Sequence, residues 1–328
     1  MVSKNFKILS LILTIVILIS IVLNLNTGFI NLNFSDFFSS NSSNFDIAQL
    51  RVNRVIIMLL AGISIPTSGF LLQEYFQNPL AGPSVLGITS VASLSVAFYI
   101  FFSQSWVLPD FLQNSFLSIT AIAGSLILML VLLLFSRKFQ DKSFIIIFGF
   151  LVSALAGAIV SILQFYAENQ SLKNYVLWSF GANNQVSFSQ ILVLFVLIFL
   201  GLFLSLKSIK PLIGNSLGTS YAQSFGVNLK HLKYLIILAS SLLSASITAF
   251  LGPVLFIGIV VPHFSRLLYN PSKLWHQWIL NMILGICIME VFSVISELSK
   301  LPLNIITSLF GIPVILLMLI GKNKFSNG

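Results

Sequence analysis

RVNRVIIMLLAGISIPTSGFLLQ, residues 51–73, places two arginines before 19 consecutive residues that carry no charge. An α-helix needs about 20 predominantly apolar residues to cross roughly 30 Å of hydrocarbon. Similar runs recur along the chain, in which 57% of the residues are hydrophobic and only 8% are charged. Soluble domains carry about 25% charged residues. The sequence therefore predicts an all-α membrane protein.

The apolar runs predict about ten transmembrane helices, near residues 8–25, 53–73, 84–102, 115–135, 144–166, 189–206, 231–250, 254–269, 277–296 and 303–320. The first run resembles a signal peptide, but it is long and lacks a small-x-small cleavage site, so we interpret it as an uncleaved span. With the N-terminus inside, 13 of the 17 basic residues fall on inner loops, and the other four are Arg51, Arg54, Lys173 and Lys300. Basic residues concentrate on cytoplasmic loops, which predicts both termini inside.

The whole chain, 1–328, is predicted to form a single permease domain. The longest inner connection, about 207–233, has glycine turns and isolated apolar residues that favour short amphipathic helices. The outer stretch 26–49 is predicted as a surface loop with one short helix. Ala81–Ile88 and Leu251–Ile259 share a Gly-Pro pair at opposite predicted faces. This similarity between the two segments indicates an inverted internal repeat, as in many transporters.

Several function classes find little support in the sequence. The basic residues sit at the ends of apolar runs, which is typical of topology signals rather than of nucleic-acid binding. The single cysteine, Cys287, excludes an intrachain disulfide and a cysteine metal cluster, and His231, His263 and His276 form no local metal motif. No phosphate loop, nucleophile elbow or carboxylate pair stands out, so we predict no enzyme activity, metal or cofactor.

Ionisable residues inside the predicted spans are scarce, and Glu290 near the outer end of the ninth span is the main exception. A carrier driven by protons or sodium ions usually needs more such groups. An ion-driven secondary carrier therefore remains an alternative, but the sequence favours transport powered by another polypeptide.

Arg51 and Arg54 lie three residues apart, on one helical face at the outer end of the second span. Two interpretations fit this pair. The side chains could snorkel toward lipid phosphate, or they could dock an acidic partner, because arginine pairs carboxylates bidentately.

Four blocks of the chain resemble the iron-siderophore, haem and cobalamin permeases of ATP-binding-cassette importers. The first block contains Arg51-Val52-Asn53-Arg54, Ser68-Gly69, Gln73, Asn78-Pro79-Leu80-Ala81, Pro83 and Leu86-Gly87. The others contain Gly218, Ala222 and Phe225-Gly226-Val227-Asn228; Gly252-Pro253, Phe256, Gly258, Val261-Pro262-His263 and Arg266; and Leu301-Pro302, Thr307, Gly311 and Pro313. The blocks stand in family order and cover nearly the whole chain.

The resemblance implies a permease subunit in the bacterial cytoplasmic membrane, surrounded by lipid. Its partners would be a second permease copy, identical or related, two cytoplasmic ATPase subunits and an extracytoplasmic binding protein. The expected cargo is an iron-siderophore complex, with haem or cobalamin as alternatives, carried between two permeases along the fifth and tenth spans.

The resemblance also assigns roles to residues of this chain. Arg51 and Arg54 would bind glutamates of the binding protein; Ser293 occupies the position of a third arginine in some relatives, so Lys300 is a candidate substitute. The ATPase would couple through Gly218, Tyr221, Ala222, Phe225, Gly226, Val227 and Asn228. The inner gate would lie at Gln140, Asp141, Lys142 and Ser143.

Overall fold

The computed structural model describes residues 4–39, 41–103, 110–138, 142–181, 186–269 and 273–325, and all regular secondary structure in these ranges is helical. A 3₁₀ helix at Phe34–Phe37 accompanies twelve α-helices within these residues. The helices are α1 (Lys4–Asn26), α2 (Phe45–Phe76), α3 (Ile88–Phe102), α4 (Asp110–Lys138), α5 (Lys142–Tyr166), α6 (Asn169–Ser179), α7 (Phe188–Ser216), α8 (Thr219–Ser224), α9 (Leu229–Leu251), α10 (Ile257–Leu268), α11 (Leu274–Ser299) and α12 (Leu303–Phe325).

Seven helices of the described chain are long and apolar enough to cross a membrane, namely α1, α2, α4, α5, α7, α9 and α11. Three shorter apolar helical stretches are α3, α10 and Leu303–Leu317 of α12. These ten elements coincide with the ten predicted spans. The all-helical membrane class is thereby confirmed, whereas the number of crossings and the orientation of the termini stay predictions.

Two helices form the centre of the bundle. In both α2 and α9, 83% of the most apolar stretch is buried inside the protein, against 22% in α5. Large apolar side chains on α5 and α7 are correspondingly exposed, among them Phe150, Phe165 and Phe199. Such surfaces suit lipid or a second membrane subunit.

Close backbone contacts of α2 depend on glycine. A Cβ added at Gly62 would lie 2.5 Å from the Ile286 Cα of α11. A Cβ added at Gly69 would overlap the Gly258 carbonyl oxygen of α10. Small residues let membrane helices approach until their backbones touch. Gly62 and Gly69 therefore serve the packing of α2 against α11 and α10.

Both Gly-Pro segments are non-helical and lead into short helices. Residues 77–87 precede α3, and residues 252–256 precede α10. The two regions meet, because a Cβ at Gly258 would lie 3.1 Å from Pro83 Cδ. Ala81, Leu86 and Val254 are buried. Irregular backbone at membrane depth is tolerated where protein surrounds it, and that condition holds here. The inverted repeat itself stays a prediction.

Several predicted boundaries are wrong. The spans predicted at 84–102 and 254–269 begin as irregular backbone, because hydropathy counts apolar residues whatever their backbone conformation. Helix α7 continues past Pro211 to Ser216, so the first part of the inner connection predicted at about 207–233 is helical. Helix α6 in the outer connection was not predicted; it buries Ser171, Tyr175 and Trp178.

We expect Gly69→Ala to destabilise the protein by about 3 kcal/mol, because the added methyl group must push α10 away from α2. Gly157→Ala is the matched control, since a Cβ there has nothing within 4 Å. Thermal unfolding of both variants in detergent measures the difference. Equal unfolding midpoints would contradict the contact between α2 and α10.

Candidate functional site

Polar side chains gather in two clusters at opposite ends of α2. The outer cluster comprises Asn24, Arg51, Arg54, Glu290, Ser293 and Glu297. The inner cluster comprises Gln73, Glu74, Asn215, Arg266 and Gln277. Arg54 and Gln73 are 19 residues apart on one helix, which at 1.5 Å per residue is about 28 Å. This separation is close to the roughly 30 Å thickness of the hydrocarbon core, and the clusters are named outer and inner after the predicted orientation.

Both terminal nitrogens of Arg54 are bonded to groups of the same chain. Its Nη1 pairs with the Glu297 carboxylate of α11, and its Nη2 donates to the carbonyl oxygens of Asn24 at 2.5 Å and Thr27 at 3.2 Å. Arg54 is 8% exposed. The guanidinium therefore ties the end of α1 to the end of α11.

Arg51 fixes the loop that follows α1. Its Nη1 donates to the Leu25 carbonyl at 2.9 Å, and its Nη2 donates to the Ile30 carbonyl. Only 5% of Arg51 is exposed. Both interpretations of the sequence, lipid phosphate and an acidic partner, direct these side chains outward, whereas the structure buries both; their docking role stays a prediction.

Glu290, the main ionisable residue inside the predicted spans, is fully buried near these arginines. Asn24 Nδ2 donates to Glu290 Oε2 at 2.8 Å, and Ser293 Oγ donates to Asn24 Oδ1 at 3.2 Å. Ser293 thus serves the contact between α1 and α11.

Lys300 is an accessible cation at this end. It is exposed, ends α11 in a left-handed conformation with φ 58°, and places its Nζ 5.2 Å from the centre of the Phe29 ring. Phe29 is itself 88% exposed. Lys300 and Phe29 together form an open cationic and aromatic surface.

The inner cluster joins α2, α7, α10 and α11. Arg266 donates to Gln73 Oε1 and to Glu74 Oε1, both at 2.8 Å. Asn215 of α7 donates to the carbonyl oxygens of Glu74 and Tyr75 at 3.3 and 3.2 Å. These bonds satisfy carbonyl groups that the end of α2 leaves without intrahelical partners.

The segment predicted to couple to the ATPase contains helix α8, bracketed by Gly218 with φ 109° and Gly226 with φ 77°. Residues other than glycine rarely adopt such φ angles. Tyr221 and Phe225 are 65% and 73% exposed, whereas Ala222 is fully buried. The segment thus presents two aromatic rings to the surroundings on a fixed turn.

This segment is anchored to α7 and α9 through its C-terminal end. The Val227 N–H donates to the Ala222 carbonyl at 2.9 Å, and Asn228 caps α9 by accepting from the His231 N–H at 3.0 Å. A Cβ at Gly214 of α7 would lie 3.0 Å from Val227 Cγ2. A largely apolar groove of about 550 Å³ opens between Phe225, the end of α7 and the start of α9.

The predicted gate is described only in part. Gln140 and Asp141 lie outside the described residues, Lys142 begins α5, and Ser143 is exposed. Among the described residues, no group of three His, Cys, Asp or Glu side chains is arranged to hold a metal ion.

Sequence reasoning missed the acidic partners of the arginines. Glu297 and Glu74 each stand near one end of a span, where a carboxylate is unremarkable on its own. Their partners are 243 and 192 residues away in sequence. The one available signal was charge balance, because a buried arginine requires a nearby anion or several carbonyl oxygens.

We expect Arg54→Gln to destabilise the protein by about 3 kcal/mol, because it leaves Glu297 and two carbonyl oxygens without their partner. Lys300→Gln removes the same charge from the same end but should cost less than about 1 kcal/mol, since its ring contact is exposed. Thermal unfolding of both variants in detergent compares them. Similar losses would show that Arg54 is not a structural residue.

Comparison with known proteins identifies the class. The hemin transport system permease protein HmuU of Yersinia pestis is 30% identical over 313 residues, covering 92% of each chain. The vitamin B12 import system permease protein BtuC of Escherichia coli O139:H28 is 27% identical and covers 95% of this chain and 94% of its own. The molybdate import system permease protein MolB of Haemophilus influenzae is 33% identical and covers 82% and 79%.

A solved structure described as an inward-facing conformation of a metal-chelate type ABC transporter has the same fold. It superposes with a TM-score of 0.81 at 26% identity and covers 96% of this chain and 99% of that one. The model of the FecCD transport family matches residues 15–321. The chain is therefore a membrane permease of the ATP-binding-cassette importer class and belongs to the FecCD transport family.

Proposed function

We propose that this importer permease carries an iron-siderophore complex across the bacterial cytoplasmic membrane, driven by a separate ATPase that docks on the segment Gly218–Asn228. The anchored turn with exposed Tyr221 and Phe225 is the observation that carries this proposal. Two large aromatic rings held on a fixed turn at the inner end form a surface suited to a protein partner.

The relatives support a metal-containing cargo. Their names specify hemin, vitamin B12 and molybdate, and the similar structure is described as metal-chelate type. An iron-siderophore complex belongs to the same chemical class of large metal complexes as hemin and vitamin B12. Haem and cobalamin remain the alternative cargoes.

The proposed route runs between two permease copies, along α5 and α12. Helix α5 is little buried, and its exposed face carries Ala154, Gly157 and Ser161 between large apolar residues. These three recur at helical spacing, so they form one narrow face of small side chains. Such a face leaves room beside the helix for cargo or for close approach of the second copy.

For the outer end we propose that the binding protein docks by carboxylate exchange. Lys300 attracts its acidic surface first, because it is exposed. A carboxylate of the binding protein then replaces Glu297 as the partner of Arg54, while Arg51 keeps the loop after α1 in place. The Glu297 side chain is 24% exposed, so this ion pair is reachable from outside.

Exchange predicts opposite effects for the two halves of the ion pair. Glu297→Gln frees Arg54 and should raise affinity for the binding protein, whereas Arg54→Gln should lower it, each by roughly tenfold. Surface plasmon resonance with the detergent-purified complex measures both dissociation constants. Equal or same-sign effects would refute exchange, and Lys173→Gln controls for the general loss of outer positive charge.

If ATP hydrolysis drives transport through the α8 segment, a substitution that alters the backbone conformation of this segment should reduce uptake. Gly226→Val should reduce uptake strongly, because a β-branched residue resists a φ of 77°, although space for the side chain is open. Gly226→Asn is the matched control, since Asn tolerates left-handed angles. Phe225→Asp should also lower uptake by removing an exposed contact without unfolding the permease.

Uptake of radioactive iron as a ferric siderophore, co-purification of the ATPase and ATP turnover test these variants. Hemin and cyanocobalamin, added as competitors, test the cargo separately. Normal uptake by both Gly226→Val and Phe225→Asp would place coupling elsewhere. Competition by hemin or cyanocobalamin alone would reassign the cargo without affecting the coupling site.

A further inference from the structure

A second cavity at the inner end, of about 940 Å³, lies between α2, α7, α10 and α11. Four basic residues line it, namely Lys207, Lys210, Arg266 and Lys273, against one carboxylate, Glu74. The remaining walls are mostly apolar and include Leu206, Leu274 and Trp275. The cavity is therefore amphipathic, with positive groups at its rim.

Three of these cations are available to a ligand. Arg266 is engaged by Glu74 and Gln73, each at 2.8 Å. Lys207, Lys210 and Lys273 are exposed and have no carboxylate within 4 Å among the described residues. Lys207 places its Nζ 4.4 Å from the centre of the Phe203 ring. The pocket thus carries an uncompensated positive charge.

The cavity also lies at the level of the membrane surface. Lys207 is 19 residues from the start of α7 at Phe188, which is about 28 Å along the helix and close to the hydrocarbon thickness. Trp275 packs on Trp278 with ring centres 5.0 Å apart, and Trp278 donates its Nε1–H to Ser205 Oγ at 2.8 Å. Tryptophans concentrate at the interface between hydrocarbon and water.

We propose that this cavity binds an anionic phospholipid of the cytoplasmic leaflet. Its phosphate would lie among Lys207, Lys210 and Lys273, next to the N-terminus of α11, where the helix dipole favours negative charge. Its glycerol and upper acyl chains would lie on the apolar walls. Basic pockets between transmembrane helices on the cytoplasmic side commonly hold acidic lipid headgroups.

An acidic surface of the ATPase is the competing occupant. The combination of apolar walls with a cationic rim at the membrane surface favours an amphiphile instead. The coupling segment, which presents exposed Tyr221 and Phe225, is the better protein surface at this end. The lipid site depends on the predicted orientation but not on the cargo.

Native mass spectrometry of the delipidated permease tests the proposal with dioleoyl phosphatidylglycerol and dioleoyl phosphatidylcholine as probes. Their acyl chains are the same, so any difference comes from the headgroup. The variant Lys207→Gln/Lys210→Gln/Lys273→Gln should raise the dissociation constant for phosphatidylglycerol about tenfold or more. The control Lys7→Gln/Lys173→Gln/Lys230→Gln loses the same charge outside the cavity and should bind like the unmodified protein.

Replacing the three cavity lysines by arginine should preserve phosphatidylglycerol binding, and thermal unfolding will confirm that each variant is folded. Unchanged phosphatidylglycerol affinity in the glutamine variant, or an equal loss in the control, would overturn the proposal. Displacement of the lipid by millimolar inorganic phosphate would instead assign a free-anion site. If the glutamine variant loses ATPase co-purification while its lipid binding stays intact, the cavity would be assigned as a protein-binding surface.

Discussion

Backbone that leaves a helix inside hydrocarbon must find its hydrogen bonds within the protein, because lipid offers none. This chain leaves the helical conformation at residues 77–87 and 252–256. Helix α10 approaches α2 so closely at Gly69 and Gly258 that the backbones touch. The bundle shelters both irregular segments through this contact. A side chain at Gly69 would separate the two helices and open these segments to lipid.

The same central helix links the two membrane surfaces. The α8 segment rests on α7 at Gly214 and Val227, and α7 is bonded to the end of α2 through Asn215. About 28 Å away along α2, Arg54 holds α11 and the end of α1. A displacement of the α8 segment therefore has a continuous path of packed and hydrogen-bonded groups to the outer end. The close glycine contacts allow little independent movement of the helices along this path, because close-packed interiors transmit strain.

The sequence predicted the helices well and their contacts poorly. Apolar runs locate all ten long or short apolar helices, because hydropathy is a local property. Hydropathy does not reveal that residues 252–256 are non-helical, since a Gly-Pro segment with apolar neighbours scores like a helix. The turn at Gly226 was predictable because a positive φ is a local reason for glycine, and the φ of 77° agrees with that reason. The burial of Arg51 and Arg54 was not, because their partners depend on how α1 and α11 pack.

The basic residues at the two ends of the helical bundle also differ in their contacts. In the predicted orientation, the outer end has few basic residues, and two of them, Arg51 and Arg54, are buried against carbonyl oxygens and Glu297. At the inner end, Lys207, Lys210 and Lys273 stay exposed around an amphipathic cavity. Free cations are favourable beside a leaflet rich in anionic lipid and not on the opposite face. In that orientation the charge bias is sharper than a residue count suggests, because the outer arginines are bonded within the fold while the inner lysines remain exposed.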